Sequence, residues 1–233
     1  MRESTLPTDA LVSQLEQYST CDLADALGQL DLAGFIPDIT VRNIQDNPAE
    51  ARVAGPVFTV EMVDRHHESV STNHFADEVP PGAVLFVNAP SHATCAVVGG
   101  LVASAVHARK ARGIIVNGRV RDITELQQLP IPIFAKGTSC MGARGRLRQR
   151  STEADLPRST VVHFNGQEPI VVTTDDFIMA DVNGVVCVPR QRVQEVVRLC
   201  SRNATVEAQC MEHILNGGGF QEALKKYRSP APR

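Results

Sequence analysis

Arg121 and Asp122 follow an apolar run, Gly113-Ile114-Ile115-Val116, and a turn-forming pair, Asn117-Gly118. A guanidinium beside a carboxylate at the carboxyl end of a buried strand stands where ligands bind in α/β sheets. The two groups suit different tasks. Arginine clamps a substrate carboxylate through paired hydrogen bonds, and aspartate holds a hard cation. Upstream, Gly99 and Gly100 interrupt an apolar segment expected to be helical from about Thr94 to Arg112. A glycine inside a helix costs roughly 1 kcal/mol relative to alanine. Close approach of a ligand to the backbone N–H groups would explain the pair, as would tight packing of helix on sheet. Asp122 also has a structural reading, because Asp122-Ile123-Thr124-Glu125 has the form of a capping box.

Other groups invite chemistry less strongly. No acidic residue lies between Glu125 and Glu153, while Lys136, Arg144, Arg146, Arg148 and Arg150 accumulate. Alternating arginines can bind phosphate, polycarboxylate or RNA backbone. The plainer expectation is a solvated loop or strand face paired with neighbours such as Glu153 and Asp155. His66, His67 and His74 lack helical metal-ligand spacing. Asp175, Asp176 and Asp181 fall at strand ends, where turn chemistry accounts for them. Cys95 and Cys140 have no readable His–Asp partners.

The elements that must position Arg121 and Asp122 follow from periodicity. Strands are expected at Val57–Val60, 84–87, 114–116 and 131–135, with the 94–112 helix and a short helix from Asp122 between the later ones. This β-α-β-α-β alternation argues for an α/β fold. Two short helices, capped by Thr8 and Thr20, precede it, and the polar stretch 43–50 reads as a loop. Strands at 161–164, 170–173, 177–180 and 185–188 follow. After Pro189 comes a long amphipathic helix ended by Gly217–Gly219, then a short helix and a Pro-rich tail. With no repeat or long linker, one domain over 1–233 is expected, its core at about 19–190 and its C-terminal helices at about 190–228.

Composition sets the outer bounds. A chain of 233 residues with 43% hydrophobic and 21% charged residues is long enough for a sizeable core and is not of disordered composition. A net charge of -3 and 4% aromatic residues argue against a nucleic-acid or anionic-membrane specialist. The six scattered cysteines form no C-x-x-C pair, Met1–Thr5 shows no signal-peptide core, and 93–106 is too short to span a bilayer. A cytoplasmic location is expected.

The motifs together resemble the RraA-like family. They are Ala96-x-x-Gly-Gly-Leu-x-x-x-Ala105, Gly113-Ile-Ile-Val-Asn-Gly-x-Val-Arg-Asp122 and Pro132-Ile-Phe-Ala135. Ser19 to Ala26, Gly55 to Val60, Pro81 to Leu85 and Ala180 to Val186 extend the likeness in order along the chain. The family includes divalent-metal 4-hydroxy-4-methyl-2-oxoglutarate aldolases, which also decarboxylate oxaloacetate, and ribonuclease E activity regulators. The resemblance implies a swivelling β/β/α domain, Mg²⁺ or Mn²⁺ as cofactor, a small 2-oxo acid substrate and a homotrimer or homohexamer. It makes Asp122 the metal ligand and Arg121 the substrate clamp. Gly99, Gly100, Leu101 and Val102 become the backbone contact to the pyruvyl group, and Glu207 an acid that reaches a neighbour's site. One departure matters: Gly100 stands where the aldolases carry an acid that positions water for proton transfer. Asn117 replaces a frequent Asp. The expected function is therefore a metal-dependent carbon–carbon lyase biased toward decarboxylation. The alternatives are a non-catalytic regulator and a lyase or dehydratase of a specialised pathway.

Overall fold

The computed structural model describes residues 6–43, 51–151, 158–163 and 168–228. Its spine is β3 (Val53–Asp64), whose twelve residues are enough to serve three partners in turn. Its start pairs antiparallel with β11 (Phe177–Asp181), its middle parallel with β4 (Val84–Asn88), and its end antiparallel with β8 (Leu147–Gln149). From β4 the sheet continues in parallel through β6 (Gly113–Val120) to β7 (Ile133–Thr138), the alternation expected from the apolar runs. In the other direction β11 returns as β12 (Gly184–Val188), which carries β1 (Phe35–Ile36) at the edge. β2 (Thr40–Val41) closes the far edge on β7. β9 (Ser159–Val162) and β10 (Ile170–Thr173) form a separate antiparallel pair.

Period-two alternation sorts the side chains into layers. On β4, Val84 and Phe86 join Val162, Ile170 and Val172 of the β9–β10 pair, whereas Leu85 and Val87 pack on the helical side. That side is covered at one end by α1 (Thr8–Leu15), α2 (Thr20–Gln29) and α5 (Val193–Leu215). At the other end lie α3 (Gly100–Ala108) and α4 (Ile123–Leu126). α6 (Phe220–Tyr227) packs on α5. Hairpin, central sheet and helices make a β/β/α stack with C-terminal helices, as expected.

Local details correct several expectations. The segment expected as one helix over 94–112 divides into β5 (Ala96–Val98) and α3, because the backbone of Ala96 to Val98 joins β6. Gly99 is therefore the N-cap of α3 and Gly100 its first residue, at a strand–helix junction and not mid-helix. α2 is capped by Ser19 and not Thr20: Ser19 Oγ accepts the Asp22 N–H, and the Asp22 carboxylate accepts the Ser19 N–H at 2.8 Å. Thr20 instead donates its N–H and hydroxyl to Asp181, at 2.9 and 2.6 Å, tying the start of α2 to the end of β11. α1 begins after Pro7 without a side-chain cap. β8 lies within the arginine run, and its pattern of buried Leu147, exposed Arg148 and buried Gln149 is a strand alternation hidden by the charges. The expected tail, most of the 43–50 loop, Phe164, Glu153 and Asp155 lie outside the described residues.

Candidate active site

Two junctions meet where β5 and β6 end side by side. The Arg121 N–H donates to the Val98 carbonyl at 3.0 Å, so Arg121 and Asp122 leave β6 against the residues that start α3. Asp122 turns sharply into the left-handed region (φ 58, ψ 45), which Asp tolerates better than most non-glycine residues. Its side chain makes no capping bond to α4. Instead Oδ2 accepts the Gly100 N–H at 3.0 Å and lies 3.4 Å from Arg121 Nε. The capping-box reading of Asp122 is therefore corrected: the turn aims the carboxylate at the amino end of α3, whose partial positive charge suits it.

The two glycines are required by this convergence. A Cβ on Gly99 would stand 2.5 Å from Asp122 Oδ2 and 3.0 Å from Arg121 Nε. A Cβ on Gly100 would fall on the carboxylate of Glu125. The space that a side chain at position 100 would take is thus filled by an acid from one turn into α4. A Cβ on Gly142 would reach 3.0 Å from Arg121 Nη1, so that glycine leaves room for the guanidinium. Sequence reading assigns no function to Glu125 or Gly142. The only signal was that Glu125 follows Asp122 by three positions, which one helical turn brings to the same side.

Beside this cluster opens a cavity of about 690 Å³. Gly99, Val102, Arg121, Arg144, Arg146 and Arg148 are among its lining residues, and no Asp or Glu lines it among the described residues. Leu101 is 87% exposed and does not line the cavity, so its side chain is no pocket wall. The N–H groups of Leu101 and Val102 sit in the first turn of α3, where no intrahelical acceptor exists. That of Gly100 is already taken by Asp122. Asp122 is partly exposed, and its Oδ1 has no hydrogen-bond partner among the described residues. A magnesium-type cation needs one or two protein carboxylates, with substrate oxygens and water completing its shell. Asp122 fits that requirement. No group of three His, Cys, Asp or Glu side chains suited to a closed zinc-type cage occurs among the described residues.

The remaining candidates separate from this site. Glu207, on α5, lies 3.6 Å from Arg228 and lines a different cavity with Asp25, Arg202 and Tyr227. Arg121 is not among the described residues that line that cavity. His67 Nδ1 accepts the Ser69 N–H, and His74 Nδ1 caps the turn at Ala76 while stacking on Phe75. Burial tends to raise the Asp181 carboxyl, but hydrogen bonds from Thr20 and Asn183 outweigh it and hold the group below its ordinary range. Burial raises the Asp176 carboxyl, which accepts the Thr173 N–H at 2.9 Å. All six cysteines are free thiols, and burial pushes Cys200 up to about 12, far from a reactive thiolate. Arg150 pairs with Glu61 at 2.9 Å, the one ion pair of the arginine run among the described residues. Arg144, Arg146 and Arg148 are exposed, as expected of a solvated loop or strand face, and they also line the cavity; the partners expected for them, Glu153 and Asp155, lie outside the described residues.

Comparison with known proteins decides the family. The RraA-like model (Aldolase/RraA) matches residues 20–187, the span that builds the sheet and the Arg121–Asp122 junction. The chain belongs to the RraA-like family. It is 24% identical over 229 residues to protein DlpA of Legionella pneumophila, covering 97% of this chain but 35% of DlpA. The chain thus spans about a third of that relative's length. It is 26% identical over 139 residues to the 4-hydroxy-4-methyl-2-oxoglutarate aldolase of Thermus thermophilus, covering 60% of this chain and 77% of that one. In fold, this RraA-like chain is similar to Streptomyces coelicolor RraAS2, described as an unusual member of the RNase ES inhibitor RraA protein family. The TM-score is 0.66 at 24% identity, covering 91% of this chain and 98% of the other. No helix among the described residues is long and apolar enough to cross a membrane.

Proposed function

We propose that this RraA-like protein is a divalent-metal-dependent carbon–carbon lyase on 2-oxo acids, using Mg²⁺ or Mn²⁺. We further propose that it acts as a homotrimer or homohexamer, in which Glu207 reaches a neighbour's site. The observation that carries the reading is the left-handed turn at Asp122. It sets a carboxylate and a guanidinium against the amino end of α3, beside a cavity that Arg121 lines. The aldolase relative supports the reaction class.

Each residue then has a task. The Arg121 guanidinium takes the substrate's 1-carboxylate in a two-point grip, with Gly142 leaving it space. The N–H groups of Leu101 and Val102 face the 2-oxo oxygen, where negative charge develops. Asp122 holds the cation, which supplies an electron sink for the carbanion formed at C3. Decarboxylation of a β-keto acid needs no more, because the C3–C4 bond electrons stay on the pyruvyl unit as carbon dioxide departs. Retro-aldol cleavage must also remove the C4 hydroxyl proton. We assign that task to Glu125, whose carboxylate fills the space beside Gly100. The absence of an acid at position 100 therefore does not confine the protein to decarboxylation.

Purified protein should release pyruvate from oxaloacetate and from 4-hydroxy-4-methyl-2-oxoglutarate when Mg²⁺ or Mn²⁺ is added, and lose that activity on chelation. Asp122→Asn should weaken Mn²⁺ binding in a calorimetric titration. Metal binding without pyruvate release from either substrate would turn the reading toward a lyase or dehydratase of other specificity. Neither metal binding nor release would leave the regulator reading.

A further inference from the structure

The end of β6 serves two cavities. Arg121, just past the strand, lines the one beside Asp122, while Asn117, Gly118 and Arg119 line another of about 590 Å³. Of the described residues that line this second cavity, only Met62 also lines the first. It lies at the carboxyl ends of the parallel strands β3, β4, β6 and β7, on the sheet face that carries the β9–β10 pair. Carboxyl ends of parallel strands are where α/β folds bind ligands. Register places Glu61, Asn88 and Asn117 in one row across three of these strands. The lyase chemistry uses none of them.

A chain of hydrogen bonds fixes the amide orientations in that row. The Val161 carbonyl can only accept, so the Asn88 atom facing it at 3.0 Å is Nδ2, which also donates to Thr160 Oγ1 at 2.7 Å. Asn88 Oδ1 then accepts from Asn117 Nδ2 at 2.5 Å. Asn117 Oδ1 is left without a donor among the described residues, although Asn117 is only 7% exposed. Buried polar atoms are nearly always paired, so this acceptor calls for a donor that a bound molecule would bring. Two residues on, about 6.6 Å along the strand, Arg119 lines the same cavity. Its Nη1 donates to the Thr138 carbonyl at 3.1 Å, a neutral acceptor. Gly137 leaves room for that guanidinium, since a Cβ there would stand 3.0 Å from Nη1. The acids of the lining have partners of their own: Glu61 lies 2.9 Å from Arg150, and Asp64 3.4 Å from His92.

We infer that this second cavity binds a small carboxylate that carries a hydroxyl or an ammonium group on the neighbouring carbon. Arg119 takes the carboxylate, and Asn117 Oδ1 accepts a hydrogen from the hydroxyl or ammonium. A 2-hydroxy acid and a 2-amino acid share this chemistry, a charged acceptor with a donor one carbon away. The site is independent of the lyase reading, because it uses neither Arg121 nor Asp122.

Calorimetric titration of the metal-free protein tests this with three probes of matched size. L-lactate, L-alanine and 2-methylpropanoate differ only in the hydroxyl, ammonium or methyl group beside the carboxylate. We expect L-lactate or L-alanine to bind at least about tenfold more tightly than 2-methylpropanoate, and the tighter of the two identifies the donor. Arg119→Gln should weaken that binding at least about tenfold and Arg119→Lys should restore part of it, whereas Arg121→Gln should leave it within about twofold. Arg119 is exposed, so both changes should leave the fold intact, and melting temperatures are measured alongside. No binding of any probe up to about 10 mM, equal affinities for the three, or unchanged affinity in Arg119→Gln overturns the site. Binding that Arg121→Gln abolishes and Arg119→Gln does not also overturns it, since the probe would then occupy the first cavity. So does a change in the solution mass of Arg119→Gln with affinity retained, which would make this face a contact between copies.

Discussion

Gly99→Ala tests the site most directly, because the structure separates its effect on stability from its effect on function. Gly99 has an extended backbone (φ -136, ψ -173), which alanine adopts without strain. The added Cβ would lie 2.5 Å from Asp122 Oδ2 and 3.0 Å from Arg121 Nε, so both side chains must swing away. The bond from the Gly100 N–H to the Asp122 carboxylate is then lost. Hydrogen bonds to charged groups contribute about 1.5–3 kcal/mol. Alanine is also a poorer N-cap than glycine, by about 0.5–1 kcal/mol, whereas replacing glycine restricts the unfolded chain and returns about 0.4–1 kcal/mol. Net stability should fall by no more than about 4 kcal/mol. Function should suffer more specifically, since the same displacement moves the cation ligand and the clamp together. At 1.36 kcal/mol per decade, the lost bond alone corresponds to about a 10- to 150-fold drop in kcat/KM. The assay is coupled pyruvate release, with Mn²⁺ titration and thermal unfolding on the same preparations. Gly100→Ala is the comparison: its Cβ meets the end of a flexible Glu125 side chain, so Mn²⁺ affinity should persist. A Gly99→Ala protein that is folded and retains wild-type kcat/KM and Mn²⁺ affinity would refute the assignment of Asp122 and Arg121.

Further substitutions probe other parts of the structure. Glu125→Gln should slow retro-aldol cleavage by roughly 10²–10⁴-fold while changing oxaloacetate decarboxylation less than tenfold, and equal losses on both substrates would remove Glu125 as the proton acceptor. Asp181 sits below its ordinary range when folded, so its contribution to stability is present above the unfolded carboxyl value near 3.9 and is lost as pH falls through the folded value. Asp181→Asn should therefore destabilise at pH 7 and narrow its gap from wild type below pH 4, read from urea unfolding at each pH. Ser19→Ala removes the observed cap of α2 and should cost about 1 kcal/mol, whereas Thr20→Ala should act through Asp181 and lose its effect in the Asp181→Asn background.

Most strands were legible because a fully apolar run of four or five residues can hardly go elsewhere. Ile170–Thr173 is a strand with the bounds read from its pattern, and 84–87, 177–180 and 185–188 each fall within one. Legibility failed where a strand carries charge on its open face, as in β8, or where a strand and a helix share one apolar stretch, as at Ala96–Ala108. In that second case local pattern favours continuous helix, and only pairing with β6 ends it at Val98.

The amino-acid sequence by itself determined the layered α/β class, the family, and the identity of the arginine and aspartate at the end of β6. Those follow from apolar periodicity and from residue types at fixed spacing. Only the tertiary structure decided what the neighbouring groups are for. The left-handed turn at Asp122 points its carboxylate at a helix distant in sequence. Glu125 enters the space that Gly100 leaves, and Arg144, Arg146 and Arg148 line one cavity with Arg121. Each of these depends on which backbone segments the sheet brings side by side, a relation between distant residues that no local pattern encodes.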